Sequence, residues 1–412
     1  MNRRVVVTGI GIVAANGIGL EAFWKTLLAG ESGIGPITLF DPTDLKTRIA
    51  GEVKNFNALD FIPPAMKPQR MGRFTQLSLA ATRLALEDAQ LTAAQLKQAE
   101  PVAISLGVST SATDVIEKQV LRIHLHGRQS ASPFTAISSL PQAACGAISA
   151  LLGTAARTVT VSTGCPAGLD AVALAAAGIR AGQYDLAVAG GTDAPITLLT
   201  VATFCAANAM STRNDDPAHA SRPFDLHRDG GLIAEGSGML VLETLDAALA
   251  RGRRPYLEIR GYGVAADPDR AQPGAGLQLS MNAAIANSGL RATDVDYVCA
   301  HGPSDPLLDR VETEMLKATL GSWAYRVPVS SVKGVTGNPL AAAGPFQLAA
   351  CALALRDGIV PPTANYETPD PDCDLDYVPV EPRRAALRHA LINGHGFGGS
   401  NSSLVVGSIA AP

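Results

Sequence analysis

One cysteine stands where a thiol could act as a nucleophile. Cys165 lies in STGCPAGLD, at the predicted turn between an apolar strand and an apolar helix. At a helix N-terminus, partial positive charge and free backbone N–H groups favour the thiolate, which is the nucleophilic form of the side chain. An inert, buried thiol is the ordinary alternative, and we assign it to the cysteines that lack this context. Those cysteines are Cys145, Cys205, Cys299, Cys351 and Cys373.

A histidine, an acid and a lysine could join Cys165 in one site. His301 follows an apolar strand in YVCAHGPSD, and side chains at the carboxyl ends of strands project into the sites of α/β proteins. Glu312 follows on a predicted helix, and Lys333 lies in SSVKGVTGN. The alternatives are an ordinary polar histidine and a surface ion pair between Glu312 and Lys333, which would contribute little to stability.

These residues need a framework to position them, and the sequence alternates between two kinds of element. Short Val- and Ile-rich runs bounded by glycine, such as 4–9, 102–107 and 186–190, are separated by Ala- and Leu-rich stretches of helix length. This alternation predicts an α/β protein with crossover units around a mostly parallel, buried sheet. In residues 75–89 the apolar side chains recur at helical spacing, which predicts a helix. Residues 172–179 are apolar all round, which predicts a central helix covered on every side.

The chain also repeats a pattern. Residues 158–182 and 327–358 each show a strand, a tight turn, an apolar helix and a glycine stop. Residues 184–194 and 389–401 each run a strand into a glycine-rich loop. Such self-similarity predicts a duplicated α/β unit, in which equivalent turns face each other across a pseudo-twofold axis and could form a site.

The join between the two copies is expected near residues 245–254. We therefore divide the chain into an N-terminal half, 1–250, which carries Cys165, and a C-terminal half, 251–412, which carries His301, Lys333 and Asn338.

Composition excludes several classes of protein. The 412 residues carry 33 Lys and Arg against 37 Asp and Glu, a net charge of −4, so no single-sign field points to nucleic acid or to a membrane surface. With 47% apolar and 17% charged residues, the chain is not disordered. No run reaches the roughly 18 apolar residues of a membrane span, and no signal cleavage site follows the first apolar run. Scattered cysteines without a C-x-x-C pair predict a cytoplasmic protein without a metal site or disulfides.

Several motifs together resemble the β-ketoacyl-ACP synthase family, the ketosynthases of fatty-acid and type II polyketide systems. In chain order they are STGC before an apolar helix, SRPFDLHRDGGLIAEGSGMLVLE, AHG followed by DRVET, SSVKGVTGN and GFGGSN. The match covers nearly the whole chain. The resemblance implies the thiolase fold, two duplicated halves in five αβαβα layers, usually as a dimer. Thiolases proper carry a second cysteine in the C-terminal glycine loop, and this loop, GHGFGGSN, has none.

The resemblance implies a role for each matching residue. Cys165 would take an acyl chain from a carrier protein as a thioester. His301 would help to bind and decarboxylate a malonyl unit, with Lys333 and Glu312 as supporting groups. Phe397, in GFGG, corresponds to the family's gating phenylalanine, and the backbone N–H groups of Cys165 and Phe397 would form the oxyanion hole.

Asn338 stands where elongating ketosynthases have a second histidine, so the predicted triad is Cys165, His301 and Asn338. An asparagine donates hydrogen bonds but cannot carry a proton. Chain-initiating ketosynthases and chalcone-synthase-type enzymes use Cys, His and Asn and still decarboxylate malonyl thioesters. The alternative is an enzyme that has lost or changed its second half-reaction.

Two more departures concern the pocket. The family's HGTGT is HGPSD here, so Pro303 and Asp305 replace hydroxyls that hold the pantetheine arm, and a carboxylate should disfavour a malonyl anion. His395 occupies a position where the family usually has phenylalanine. It could return an imidazole to the site, or it could be a hydrogen-bonded loop histidine.

We predict a ketosynthase-like acyltransferase that loads an acyl group onto Cys165 and extends it by decarboxylative Claisen condensation with a malonyl thioester. Its pathway would be specialised polyketide- or fatty-acid-like biosynthesis. One alternative is a transferase of the same fold that passes the acyl group to another nucleophile without decarboxylation. Another is a chain-length-factor-like partner in a ketosynthase heterodimer, although Cys165 argues against it.

The predicted partners follow from this chemistry. An acyl carrier protein would bring substrates on its phosphopantetheine, with no other cofactor, and would dock on Lys67, Arg70 and Arg73. The chain would form a homodimer, or a heterodimer with a homologous ketosynthase or chain-length-factor subunit. No nucleic acid or membrane partner is expected.

Overall fold

The computed structural model describes residues 3–269 and 271–409. The start of the predicted N-terminal half, 1–250, and the end of the predicted C-terminal half, 251–412, therefore lie outside the described residues. The strands are β1 (Val5–Ala14), β2 (Gly17–Ile18), β3 (Gly35–Pro36), β4 (Ile49–Ala50), β5 (Val102–Gly107), β6 (Ala156–Val161), β7 (Leu186–Asp193), β8 (Gly236–Thr244), β9 (Leu257–Ala266), β10 (Tyr297–Cys299), β11 (Val329–Ser330), β12 (Ile359–Val360), β13 (Arg383–Arg384), β14 (His389–His395) and β15 (Ser400–Gly407). The helices are α1 (Leu20–Ala29), α2 (Arg73–Ala89), α3 (Ala93–Gln98), α4 (Thr113–His126), α5 (Thr135–Ser138), α6 (Ala143–Leu152), α7 (Ala167–Arg180), α8 (Leu198–Ala206), α9 (Leu245–Ala250), α10 (Ala275–Ser288), α11 (Pro306–Leu320), α12 (Lys333–Thr336) and α13 (Ala343–Asp357).

Two runs of five strands have the same order and the same directions. The first run is β6-β5-β7-β8-β1 and the second is β11-β10-β14-β15-β9. In each run the first three strands are parallel, and the fourth and fifth alternate in direction. Residues Val5–Val7 of β1 pair with Leu257–Ile259 of β9 and join the runs into one continuous sheet. The predicted duplicated α/β unit is therefore confirmed.

The elements stack in five layers. Helices α7 and α13 contact each other and lie between the two sheet halves, while α2 and α6 cover the outer face of the first half and α10, with α11 beside it, covers that of the second. Helix α7 is the predicted central helix. It is not covered on every side, however, because Leu174 is 46% exposed and Ala177 is also exposed at its C-terminal half.

Two glycines allow the N-terminus of α7 to approach its neighbours closely. A Cβ atom on Gly107, at the end of β5, would lie 2.3 Å from the backbone of Ala167. A Cβ atom on Gly168 would lie 2.1 Å from the carbonyl oxygen of Ala341, in the segment before α13. Side chains at these positions would push the sheet, α7 and α13 apart. The turn that carries Cys165 is thus fixed by backbone-to-backbone packing.

One edge of the sheet carries an uncovered apolar surface. Strand β6 is an edge strand, and Val159 on it is exposed. Further large apolar side chains are exposed on α4 and on the segment from α5 to α6, and these are Ile116, Val120, Leu121, Leu125, Phe134, Ile137 and Leu140. An open strand edge beside a contiguous apolar patch is typical of a protein–protein interface.

Several negative findings apply to the described ranges. No helix there combines the length and the apolar character needed to cross a membrane. No three or more His, Cys, Asp or Glu side chains in those ranges are placed to hold a metal ion. All six cysteines are free and buried.

Candidate active site

The pocket that contains Cys165 is built by both halves of the chain. Cys165 enters it from the turn between β6 and α7, and the C-terminal half supplies the other polar side chains. The predicted residues that line it are Cys165, His301, Asp305, Asn338, His395 and Phe397. Glu312 and Lys333 lie behind His301 and do not line the pocket. Most of the predicted site residues therefore converge at the seam between the two copies.

The thiol of Cys165 is buried, and burial is the largest influence on it. Burial raises the pKa of the Cys165 thiol. The Phe397 backbone N–H, the charge of Lys333 and the Asn338 side chain each lower the pKa of the thiol, but together they do not reverse the shift. Burial therefore opposes the thiolate that the helix N-terminus was expected to favour, and Cys165 rests as a thiol.

His301 is held in a neutral state. Its side chain lies on the loop after β10, and its Nδ1 is 3.4 Å from Lys333 Nζ, which also donates to the His301 carbonyl oxygen at 2.6 Å. Burial, followed by the charge of Lys333 and the neighbouring His395, holds the pKa of His301 well below its usual range. Because Nδ1 faces an ammonium group, the imidazole proton resides on Nε2. His301 is thus a hydrogen-bond donor and a poor base.

Glu312 fixes the loop that carries His301. Its carboxylate, on α11, accepts hydrogen bonds from the backbone N–H groups of His301 at 2.9 Å and Gly302 at 2.8 Å, and from Asn393 Nδ2 at 3.0 Å. Glu312 and Lys333 are both fully buried. The alternative of a surface ion pair is wrong, and these residues position His301.

Asn338 lines the pocket that contains Cys165, and two of its other polar groups are held by hydrogen bonds. Its backbone N–H donates to the Leu232 carbonyl oxygen at 2.7 Å, and its Oδ1 accepts from the Leu340 N–H at 3.3 Å. The preceding Gly337 has a φ of 66°, and a Cβ there would lie 2.9 Å from Ile34 Cδ1. This glycine therefore sets the direction in which the chain leaves α12 and presents Asn338 to Cys165.

Asp305 caps helix α11 and also lines the pocket. It is the N-cap of α11, and its Oδ1 accepts hydrogen bonds from the backbone N–H groups of Leu307 and Leu308, each at 2.9 Å. Asp followed by Pro306 at the first helical position is a common start of a helix, so the sequence carried a signal for this role. The carboxylate still lines the pocket.

His395 and Phe397, in the C-terminal glycine-rich motif, line the pocket together with Cys165. His395 is buried, its ring centroid is 6.2 Å from that of His301, and its Nδ1 has no hydrogen-bond partner among the described residues. It is therefore not the hydrogen-bonded loop histidine of the alternative reading. Phe397 is 65% exposed and its ring packs against Phe204 at 5.8 Å.

Asp193, the last residue of β7, was missed by the sequence analysis. Its buried carboxylate accepts hydrogen bonds from the backbone N–H groups of residues 109–111 and, at 3.0 Å, from that of Ala341. Burial raises the pKa of Asp193 to about 6. The carboxylate ties the loop after β5 to the segment that follows Asn338. The sequence did carry a signal for Asp193. It ends the motif GGTD in segment 184–194, which matches segment 389–401 with His395.

Arg73 does not belong to a free basic cluster. Its Nε and Nη2 donate to Glu235 at 2.5 Å and 2.6 Å, and Glu235 also accepts from the Val53 N–H at 2.9 Å. The prediction that Arg73 docks a carrier is corrected here, because its guanidinium is paired inside the protein. Lys67 and Arg70 are exposed, and the Arg70 guanidinium lies 4.1 Å from the centre of the Phe134 ring.

The chain resembles one family over most of its length. Residues 2–248 match the family model described as beta-ketoacyl synthase, N-terminal domain, and residues 256–367 match that of the C-terminal domain. A tetracenomycin polyketide synthase ketoacyl synthase alpha subunit from Streptomyces glaucescens is 41% identical over 98% of this chain and 97% of its own length. A 3-oxoacyl-(acyl-carrier-protein) synthase 2 from Synechocystis sp. is 40% identical over 98% and 97%.

Solved structures agree with this resemblance. The ishigamide ketosynthase/chain length factor superposes with a TM-score of 0.92 at 32% identity, covering 100% of both chains. A type II polyketide synthase ketosynthase in complex with its acyl-carrier protein superposes with a TM-score of 0.91 at 31% identity, covering 99% of this chain and 100% of the other. The likeness confirms the thiolase fold.

Proposed function

Since the chain belongs to the β-ketoacyl synthase family of condensing enzymes, we propose that it loads an acyl group from an acyl carrier protein onto Cys165. We further propose that it extends this group by decarboxylative Claisen condensation with a malonyl thioester, in specialised polyketide- or fatty-acid-like biosynthesis. The observation that carries the proposal is the convergence of Cys165, His301 and Asn338 on one pocket. Loading needs a nucleophile, and condensation needs hydrogen-bond donors to the enolate oxygen. Cys165 would serve the first half-reaction, and His301 and Asn338 would serve the second.

In the loading step, the Cys165 sulfur attacks the thioester on the carrier's phosphopantetheine. The carbonyl oxygen becomes negative in the transition state, and the backbone N–H groups of Cys165 and Phe397 are the proposed donors to it. The Phe397 N–H lowers the pKa of the Cys165 thiol, which supports a place for it beside the reacting atoms. The bond to the carrier sulfur then breaks, the carrier leaves as a thiol, and the acyl group stays on Cys165.

In the condensation step, His301 and Asn338 hold the thioester carbonyl of the malonyl unit. The bond to the carboxylate breaks, carbon dioxide leaves, and the negative charge moves to the carbonyl oxygen as an enolate. Nε2–H of His301 and Nδ2–H of Asn338 donate to this oxygen, which requires neither residue to change its charge. The enolate carbon then attacks the acyl carbonyl, and Cys165 departs as a thiolate.

Asp305 favours a second candidate function, transfer of the acyl group to a neutral or cationic nucleophile without decarboxylation. Its carboxylate lines the pocket, and a like charge there opposes entry of a malonyl anion. Among the proposals, a purely structural subunit has the least support, because Cys165 lines the same pocket as His301 and Asn338.

Intact-mass spectrometry with a carbon dioxide assay tests the function. The purified protein is given a panel of acyl carrier thioesters and then malonyl carrier protein. Acylation of Cys165, followed by carbon dioxide release and a product two carbons longer, is the expected result. If Cys165 is acylated but malonyl carrier protein releases no carbon dioxide, the transferase function is favoured. If no donor acylates Cys165, the function as a structural subunit is favoured.

The Asn338→Ala variant is expected to separate the two half-reactions. Loss of one donor to the enolate oxygen should slow condensation by about 10²- to 10³-fold, whereas loading of Cys165 should persist. Single-turnover rates of acylation and of carbon dioxide release give the two values. Asn287→Ala, an exposed asparagine on α10, is the control. Equal slowing of both steps would count against an enolate role for Asn338.

Lys67 and Arg70 are the proposed docking cations for an acidic carrier protein. Both are exposed, and Arg70 lies beside the apolar surface near β6. Charge reversal of both residues should raise the KM for acyl carrier protein about 10-fold and weaken its salt dependence, with little change in kcat. Lys97→Glu, on α3, is the control for charge reversal at another exposed lysine. An unchanged KM would place the carrier elsewhere.

We also propose that the chain works as a dimer. The edge of β6 and the exposed apolar side chains of α4 form one face that a single chain leaves open. A second copy or a homologous ketosynthase-like subunit would cover it, and native mass spectrometry of the expressed chain alone distinguishes the two.

A further inference from the structure

His395 has a buried polar atom for which the proposed half-reactions give no use. The residue ends β14, is buried, and lines the pocket with Cys165. Its Nδ1 has no hydrogen-bond partner among the described residues. An unpaired buried polar atom costs free energy, so such an atom at a reactive centre indicates a role for a bound group or for a proton.

A buried carboxylate lies on the other side of the His395 ring. Asp267 Oδ2 is 3.9 Å from His395 Nε2. The carboxylate is fixed from its own side, because Oδ1 accepts from the N–H groups of Gly274 at 2.9 Å and Gly276 at 2.7 Å, while Oδ2 accepts from Asn401 Nδ2 at 3.0 Å. A negative charge facing Nε2 favours the tautomer with its proton there, which leaves the Nδ1 lone pair free.

The charges around His395 leave it able to accept a proton. Burial lowers the pKa of His395, and the carboxylates of Asp267, from the end of β9, and Asp305, from the start of α11, oppose that effect. The third titratable neighbour is His301, which is neutral. His395 is therefore an uncharged imidazole at neutral pH, and a proton on it would be stabilised by two carboxylates.

The strand end that carries His395 lies against the turn that carries the nucleophile. A Cβ on Gly394 would be 3.3 Å from Pro166 Cβ, and one on Gly396 would be 2.9 Å from Pro166 Cδ. One residue further on, the backbone N–H of Phe397 lowers the pKa of the Cys165 thiol. The residues on both sides of His395 therefore pack against Pro166, next to Cys165 in the chain, and His395 itself lines the same pocket as Cys165.

Other polar groups of the pocket are poorly suited to remove the thiol proton. Asn338 has no basic atom, and Nδ1 of His301 faces the Lys333 ammonium group. Asp305 uses Oδ1 to cap α11. Since Cys165 rests as a thiol, loading nevertheless needs a proton acceptor.

We propose that His395, oriented by Asp267, is the catalytic base that takes the Cys165 proton during loading. The Sγ–H bond breaks as the proton moves to Nδ1, and the bond from Sγ to the acyl carbon forms while the bond to the carrier sulfur breaks. The carrier sulfur then takes the proton from Nδ1, so the step consumes no other reactant. The proposal rests on the proposed function only in taking Cys165 as the nucleophile.

Alkylation by iodoacetamide tests this role without any acyl donor. The rate at Cys165 is followed by intact mass from pH 6 to 9, for the wild type and for His395→Phe and His395→Ala. In the wild type the rate should change little above pH 7. In the variants it should fall about 10²-fold at pH 7 and then rise roughly tenfold per pH unit, because only the thiol titrates.

Chemical rescue and two further variants guard against a merely structural effect. Added imidazole should restore the alkylation rate of His395→Ala but not that of His395→Phe, whose ring fills the space. Asp267→Asn should lower the rate less than loss of the imidazole does. His389→Gln, at the other end of β14, is the matched control and should leave the profile unchanged.

The outcomes are distinguishable from those of the proposed function. A wild-type pH profile in both His395 variants, or a slow His395→Ala that imidazole does not rescue, would overturn the role of His395. If the alkylation rate varies little with pH in the wild type but rises with pH in the variants, the role of His395 is supported. That support holds even if no carrier thioester acylates Cys165, in which case only the proposed function fails.

Discussion

Replacing Cys165 by alanine is expected to abolish acylation and to lower product formation roughly 10³-fold or more, because the covalent step has no substitute nucleophile. The Phe397 N–H and the Asn338 side chain both favour the negative charge on this sulfur. Intact-mass spectrometry after incubation with an acyl carrier thioester, together with product analysis, measures both effects.

Cys205→Ala is the matched control. Cys205, on α8, is 7% exposed, as is Cys165, but it packs in an apolar cluster rather than lining the pocket. Its loss should leave acylation intact. An acyl adduct that persists in Cys165→Ala, or disappears in Cys205→Ala, would mean that the nucleophile has been assigned to the wrong thiol.

The second large effect is expected from Glu312→Gln, which keeps the shape of the side chain and removes its charge. One carboxylate oxygen accepts from His301 N–H and the other from Gly302 N–H. An amide can accept at only one of these positions, and it presents its NH₂ group to the second N–H. The buried Lys333 also loses its main opposing charge. Breaking such a buried arrangement should destabilise the protein by about 3 kcal/mol.

Thermal unfolding measures the effect, with Glu314→Gln as the control on the same helix. Glu314 is exposed and its nearest cation, Arg310, is 3.9 Å away, so its replacement should change Tm little. Activity of Glu312→Gln should fall as well, because the loop that carries His301 loses its support. If both variants unfold at the wild-type Tm, Glu312 does not fix this loop.

The fold was largely predictable because both copies kept the same local pattern. Segments 184–194 and 389–401 became β7 and β14, which occupy equivalent places in the two strand runs. The pairing of β1 with β9 was not predictable, since apolar alternation indicates a strand but not its partner. The exposure of Leu174 was missed for a similar reason: apolar residues on every face of α7 predict burial, but the pattern cannot tell where the covering layers end.

The site was predictable where a residue acts through its own chemistry. Cys165, His301 and Asn338 stand in motifs whose spacing indicated a common site, and one pocket contains them. Residues that act by long-range contact left no such signal. Arg73 pairs with Glu235 from a segment that looks like a surface basic cluster, and Asp267 faces His395 across 128 positions of sequence. Partner choice over that separation is a property of the folded chain.

Asp193 and His395 end β7 and β14, the third strands of the two runs. The first is tied down by four backbone N–H groups, whereas the second has an unpaired Nδ1 and lines the pocket that contains Cys165. The duplicated unit thus gives the two copies equivalent strand ends with different tasks. Asp193 holds together the segments around the pocket, whereas His395 lines the pocket itself. A duplicated fold can therefore divide support and chemistry between two positions that share one backbone geometry.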